Sequence, residues 1–125
     1  MRIIYLTLLS LVMPIVMADS CPTPKQVKDR KISNAYEWTV KEGVTLDNIL
    51  AVEKLYSVRI MDNGDYVSCH YTTSQWPVTL DAKPEKSRCR IHYDDNQWEV
   101  TKSGQAICKE KDSGKCSFSI ECSDK

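Results

Sequence analysis

The sequence lacks an excess of charge of either sign. It contains 17 Lys and Arg residues against 17 Asp and Glu residues, so its formal net charge at pH 7 is zero. Proteins that bind nucleic acid or anionic lipid owe much of their affinity to a positively charged surface. We therefore expect neither nucleic acid nor a lipid surface to be a partner of this chain.

Motifs for catalysis and for metal or cofactor binding are also lacking. No two of the six cysteines form a C-x-x-C pair, and neither histidine has ligand spacing to a cysteine pair. Cys69 and His70 are neighbours on a predicted strand, so their side chains point to opposite faces and do not form a nucleophile–base pair. Asp94 and Asp95 lie in a predicted turn, where adjacent carboxylates rarely converge on one bond. The sequence therefore predicts no catalytic residue, no metal site and no cofactor.

The one long apolar stretch lies at the start of the chain. It follows the basic residue Arg2 and ends at Ala18, just before polar residues. This pattern is typical of a cleavable secretory signal peptide. We expect residues 1–18 to be removed and residues 19–125 to form one secreted or periplasmic domain with no stable membrane insertion. An uncleaved membrane anchor and a lipoprotein signal ending at Cys21 are the two alternatives.

All cysteines follow the predicted cleavage site. They number six, at Cys21, Cys69, Cys89, Cys108, Cys116 and Cys122. In a small exported domain, an even number predicts disulfides, here three, with fifteen pairings to choose from. Cys108 and Cys116 flank a short loop and could face each other across adjacent strands. Cys69 and Cys89 have a whole strand between them, so they would pair only if the chain crossed to a second sheet. The pairing stays open.

The clearest structural signal is a β-hairpin. Positions 55–61 and 66–73 alternate between polar and apolar residues, and the turn between them contains Asn63-Gly64. That dipeptide favours a type I′ turn, because both residues tolerate positive φ. On the returning strand Cys69 and Tyr71 share one face, which we expect to be buried.

Short strands separated by turn residues account for most of the remaining chain. They are predicted at 35–40, 76–82, 88–93, 97–101, 105–109 and 116–122. Residues 21–34 fit an extended segment or a short helical turn, and residues 44–52 fit either a short helix or a strand. The sequence therefore predicts an all-β fold: a small antiparallel β-sandwich or barrel-like domain, cross-linked by disulfides, with room for one short helix.

A candidate binding surface comes from the outward-facing residues of these strands. Arg88, Arg90 and His92 alternate with the inward positions of one strand, and His70 lies on the outward face of another. Together with Arg59 they could form a cationic patch for a carboxylate, sulfate or phosphate group, although a solvated sheet face is the simpler interpretation. Of the three tryptophans, Trp76 stands next to Pro77 at a predicted strand edge. We expect Trp76 to be exposed, where it could stack on a sugar ring or anchor a protein interface.

The sequence also resembles a family of small exported bacterial proteins catalogued as domain of unknown function 3757. The residues that carry the resemblance are the opening Cys21-Pro22, the hairpin strand running from Asn63-Gly64 into Cys69-His70-Tyr71, and the later strand with Trp98 followed by Cys108. The resemblance implies a periplasmic or secreted location and supplies no established activity and no catalytic residues.

These observations predict an exported, non-enzymatic interaction module that binds a protein or a glycan. The first alternative is a secreted or periplasmic inhibitor or immunity-type protein that blocks an enzyme by inserting the loops at 62–65 and 111–115. A small hydrolase is the second alternative. The oligomeric state does not follow from the sequence.

Overall fold

The computed structural model describes residues 19–32, 36–40, 43–94 and 96–123. Within these residues the chain forms a mostly β fold with an antiparallel six-stranded sheet, a separate two-stranded sheet, three disulfides and short helices. The predicted fold class is therefore confirmed. The predicted signal peptide, residues 1–18, lies outside the described residues.

The strands follow one another with short connections. They are β1 (Tyr36–Val40), β2 (Val52–Met61), β3 (Tyr66–Thr73), β4 (Val78–Pro84), β5 (Cys89–Tyr93), β6 (Trp98–Val100), β7 (Ala106–Cys108) and β8 (Phe118–Cys122). The large sheet has the order β1-β4-β3-β2-β7-β6, and β5 pairs with β8. Since β7 pairs with β2 rather than with β5, the chain leaves the large sheet for β5 and then returns to it.

In the described part of the chain, two short α-helices precede β2 and contact each other, and the first of them also packs against β2. Helix α1 (Pro24–Asp29) begins after Thr23, and helix α2 (Leu46–Leu50) begins after Thr45. Both starts are capping boxes, in which the threonine hydroxyl accepts from a backbone N–H three residues on and that residue's side chain accepts from the threonine N–H. The ambiguous segment 44–52 is thus a helix that ends before β2. Among the described residues, no helix is long and apolar enough to cross a membrane.

The β2–β3 hairpin turn is shifted by one residue from the prediction. Asp62 and Asn63 have positive φ values of 49° and 58°, and the Gly64 N–H donates to the Met61 carbonyl over 3.1 Å. These are features of a type I′ turn centred on Asp62-Asn63 rather than on Asn63-Gly64. Gly64 is instead buried at φ 99°, and its carbonyl accepts from the Ile91 N–H of β5 over 2.7 Å. Gly64 is therefore the point at which the hairpin contacts β5.

The core lies on one face of the large sheet. Most of its fully buried members come from β2, β3 and β4, among them Val58, Ile60, Val67, Cys69, Tyr71, Val78 and Ala82. The predicted burial of the face with Cys69 and Tyr71 is confirmed. Trp98 also lies in this core, and its indole N–H donates to the Ser117 carbonyl.

The three predicted disulfides are present, and the structure gives their pairing. Cys21 pairs with Cys69, Cys89 with Cys122, and Cys108 with Cys116. The first joins the N-terminal segment to the centre of β3, the second joins β5 to β8, and the third closes a short loop after β7. Disulfides persist in oxidising compartments. They therefore indicate an extracytoplasmic environment for this protein.

Candidate functional site

Trp76 is the most exposed of the large apolar side chains in the described part of the chain, with 75% of its surface accessible. It lies in the loop between β3 and β4, and that loop is ordered by hydrogen bonds of its own. The Thr73 hydroxyl donates to the Trp76 carbonyl over 2.7 Å and accepts from the Gln75 N–H over 2.9 Å. The backbone that carries the exposed indole is therefore held by hydrogen bonds within its own loop.

Helix α2 lies beside this loop. The buried Asn48 donates its side-chain N–H to the Gln75 side-chain oxygen over 2.9 Å, which ties the helix to the loop. Leu46 and Leu50 stand one helical turn apart, so they share a face of the helix. They are 50% and 48% exposed. Because Asn48 makes the contact with the loop and lies on the opposite side of the helix from Leu46 and Leu50, the two exposed leucines point away from that contact. We call the exposed Trp76 side chain with its loop the Trp76 patch.

Sequence reasoning found Trp76 but missed the exposed Leu46 and Leu50 on helix α2. The spacing of Leu46 and Leu50 fits one face of a helix, and Thr45 with Asn48 could have signalled the helix start. The signal was weak because the cap completes with an asparagine, whereas a glutamate or glutamine is usual at that position. The exposure of the leucines depends on packing and had no sequence signal.

The structure divides the candidate cationic patch between the two sheets. His70 is half-buried on β3, with its Nδ1 3.2 Å from the Thr79 hydroxyl and its ring centroid 6.0 Å from that of Tyr56. Arg59 lies in β2 on the same sheet, since it pairs with Ser68 of β3. These two residues therefore belong to the polar outer face of the large sheet.

Arg88, Arg90 and His92 line a separate cleft of about 320 Å³ beside β5. Arg90 donates to the backbone carbonyls of Asp62 and Asn63, which fixes its guanidinium against the hairpin turn. The Nδ1 of His92 is 3.5 Å from a carboxylate oxygen of Glu121 on β8. The cleft thus holds two arginines and one carboxylate, which leaves a small positive excess.

The remaining residues that were considered for catalysis or metal binding take part in a disulfide or a turn where the structure describes them. Cys69 is buried in its disulfide, and Asp94 accepts from the Asn96 N–H in a turn. Asp95 lies outside the described residues. In the described ranges, no three His, Cys, Asp or Glu side chains come together in a way that could hold a metal ion.

The two loops that the inhibitor hypothesis would insert into an enzyme are restrained by the rest of the fold in different ways. The 62–65 turn is bonded to β5 and also to the turn after β6, because the Asn63 N–H donates to the Gly104 carbonyl. The 111–115 loop is closed by Cys108–Cys116 and contains a short 3-10 turn with Ser113 buried. Its remaining residues are exposed, and Lys111, Asp112 and Gly114 line a cleft of about 490 Å³ together with the N-terminal segment and β2.

Comparison of the chain with protein-family models, curated proteins and solved structures found no match. The resemblance to the domain of unknown function 3757 proteins therefore stays a prediction.

Proposed function

We propose that this protein is an exported, non-enzymatic binding module and that the Trp76 patch contacts a protein partner. The observation that carries the proposal is the 75% exposure of Trp76 on a loop held by its own hydrogen bonds. Binding energy at protein interfaces concentrates in a few aromatic anchors, and an anchor that is already ordered loses little entropy on binding.

The surroundings of Trp76 favour a protein over a glycan. Besides Trp76, the end of the molecule that carries this loop exposes Leu46 and Leu50, which suit an apolar protein surface better than the hydroxyl groups of a sugar. Isolated exposed apolar residues are normal on soluble proteins, but tryptophan is enriched among the anchors of protein interfaces. The partner that fits is a protein with an apolar groove or pocket that receives the indole.

The proposed location is the periplasm or the extracellular space, reached through cleavage of residues 1–18. Three disulfides support this proposal, because such bonds form outside the reducing cytosol. Amino-terminal sequencing of the exported protein is the test. We expect Asp19 as the first residue, and a chain that retained residues 1–18 would contradict the signal-peptide prediction.

Site-specific photocrosslinking tests the binding surface. A photoreactive benzoylphenylalanine replaces Trp76 in one variant, and Val100 in a matched control. Val100 is 53% exposed on β6, at the opposite edge of the large sheet from β1. In a periplasmic or host extract, we expect position 76 to yield one crosslinked protein and position 100 to yield none. Crosslinking from position 100 alone would overturn the assignment, and a glycan-array signal lost on Trp76→Ala would replace a protein partner with a sugar.

The inhibitor hypothesis remains a second candidate, because Cys108–Cys116 holds an exposed loop in one conformation. Restrained loops suit insertion into an enzyme cleft, since they lose little conformational entropy when they bind. One comparison of variants distinguishes the two candidate functions. If the protein is an inhibitor acting through this loop, Lys111→Ala with Asp112→Ala abolishes capture of an enzyme and Trp76→Ala does not.

A further inference from the structure

One of the three disulfides differs from the others in its access to solvent. Cys122 is exposed, whereas Cys21 and Cys69 are 3% and 0% exposed and Cys116 is 0% exposed. Its partner Cys89 is 8% exposed, so an attacking group reaches this bond from the Cys122 side.

The position of Cys89 and Cys122 in the small sheet explains this access. They stand directly opposite each other on β5 and β8, at the end where β8 finishes. The Ser123 N–H donates to the Arg88 carbonyl, so Arg88 and Ser123 form a hydrogen-bonded pair. Hydrogen-bonded and non-hydrogen-bonded pairs alternate along an antiparallel ladder, so the next pair, Cys89 and Cys122, is a non-hydrogen-bonded one. Side chains of such a pair project side by side from the sheet. The disulfide lines an open cleft of about 230 Å³ together with Pro84, Lys86 and Ile120.

The other two disulfides are less accessible. Cys21 and Cys69 are both buried at the centre of the fold, and in Cys108–Cys116 the first cysteine is half-buried and the second buried, with its sulfur 3.4 Å from the Gln97 carbonyl oxygen. A thiol must approach a sulfur along the line of the disulfide bond, so burial slows attack on these two bonds.

We propose that Cys89–Cys122 is a site of thiol–disulfide exchange in the folded protein, with a small dithiol as the reductant. One thiolate of the dithiol attacks the Cys122 sulfur, the Cys89–Cys122 bond breaks, and Cys89 leaves as a thiolate that takes up a proton. The second thiol of the reagent then attacks the mixed disulfide and releases Cys122. The protein gains two thiols, and the dithiol is oxidised to its disulfide.

The fold is expected to survive this step. β8 stays attached through Phe118, which is buried, and through its two backbone hydrogen bonds with Asp19. The neighbouring Ser117 carbonyl accepts from the Trp98 indole. These contacts lie at the opposite end of β8 from Cys122, so reduction frees only the end of the strand.

Differential alkylation of the oxidised protein tests the proposal. Dithiothreitol is added without denaturant, free thiols are blocked with one reagent at successive times, and the remaining cysteines are labelled with a second reagent after full reduction. We expect Cys89 and Cys122 to become accessible at least about tenfold faster than the other four cysteines, as exposed disulfides do. Faster release of Cys108 and Cys116, or simultaneous release of all six, would overturn the proposal.

Two further measurements separate direct attack from unfolding. For direct attack on the folded protein, the rate of release is proportional to thiol concentration and changes less than about twofold in urea below the unfolding transition. A rate that rises steeply with urea would mean that the bond is reduced only in opened molecules, and would contradict the proposal. With the monothiol glutathione, the adduct is expected on Cys122, and an adduct on Cys89 instead would contradict the assigned direction of attack.

A Cys89→Ser/Cys122→Ser variant is the matched control. It should lose the fast pair of thiols and keep the slow release of the other four. If the variant does not fold, the glutathione adduct on the unmodified protein still decides the question.

Discussion

Removal of the Cys21–Cys69 disulfide is expected to cost more stability than removal of either of the others. This bond closes the longest loop, with a sequence separation of 48 residues against 33 for Cys89–Cys122 and 8 for Cys108–Cys116. A disulfide stabilises the fold mainly by restricting the unfolded chain, and this restriction grows with loop length.

The loop lengths give the expected loss in the free energy of unfolding for each variant. Loop-closure entropy gives about 4 kcal/mol for Cys21→Ala/Cys69→Ala and about 2.5 kcal/mol for Cys108→Ala/Cys116→Ala. Cys21 and Cys69 are both buried, so truncating them also leaves a cavity whose cost has the same sign. The whole free energy of unfolding of such a domain is about 5–15 kcal/mol, so the first variant should lose a large part of it.

Guanidinium unfolding, followed by circular dichroism, measures both variants against the parent protein. With a slope of about 3 kcal/mol/M, we expect the midpoint to fall by about 1.3 M for the Cys21 variant and about 0.8 M for the Cys108 variant. Equal midpoints, or a larger loss in the Cys108 variant, would refute the argument from loop length. A changed slope would mean that the unfolded state differs as well.

Three further predictions concern single residues of the core and the hairpin. Tyr71→Phe should lower the free energy of unfolding by about 1–3 kcal/mol, because the Tyr71 hydroxyl donates to the Pro22 carbonyl in a buried site; a urea curve unchanged from the parent would contradict this. Burial raises the pKa of Tyr71, and burial together with a hydrogen bond to the Asp19 carboxylate raises the pKa of Tyr36. The two tyrosines therefore lose their protons at lower pH in the unfolded chain than in the folded protein, so the free energy of unfolding should fall as the pH rises above about 10. Equal urea midpoints at pH 9 and pH 11 would contradict this prediction. Gly64→Ala should cost at least about 1 kcal/mol, because φ is 99° and an added Cβ would lie 2.5 Å from the Ile91 carbonyl oxygen; an unchanged thermal midpoint would rule this out.

The sequence predicted the features that depend on local pattern. The alternation on β3 identified the buried face with Cys69 and Tyr71, and the alternation on β5 separated Arg88, Arg90 and His92 from the inward residues. These predictions succeed because side chains on a strand alternate between faces whatever the strand pairs with.

Features that depend on which strands meet did not follow from the sequence. Cys89 pairs with Cys122 because β8 lies against β5, and nothing in either segment specifies that partner. The hydrogen bond from the Ile91 N–H of β5 to the Gly64 carbonyl, next to the hairpin turn, had no sequence signal either. The position of helix α2 beside the Trp76 loop depends likewise on a contact between Asn48 and Gln75, which are 27 residues apart. Such long-range contacts are decided by packing of the whole chain.

The central claim is that Trp76 anchors a protein partner. Its most direct test is the affinity of the crosslinked partner for the Trp76→Ala variant, measured by titration calorimetry beside a Val100→Ser control. An aromatic anchor contributes at least about 2 kcal/mol, so we expect the dissociation constant to rise about 30-fold or more for Trp76→Ala and less than about twofold for Val100→Ser. A Trp76→Ala variant that binds as tightly as the parent protein would contradict the account.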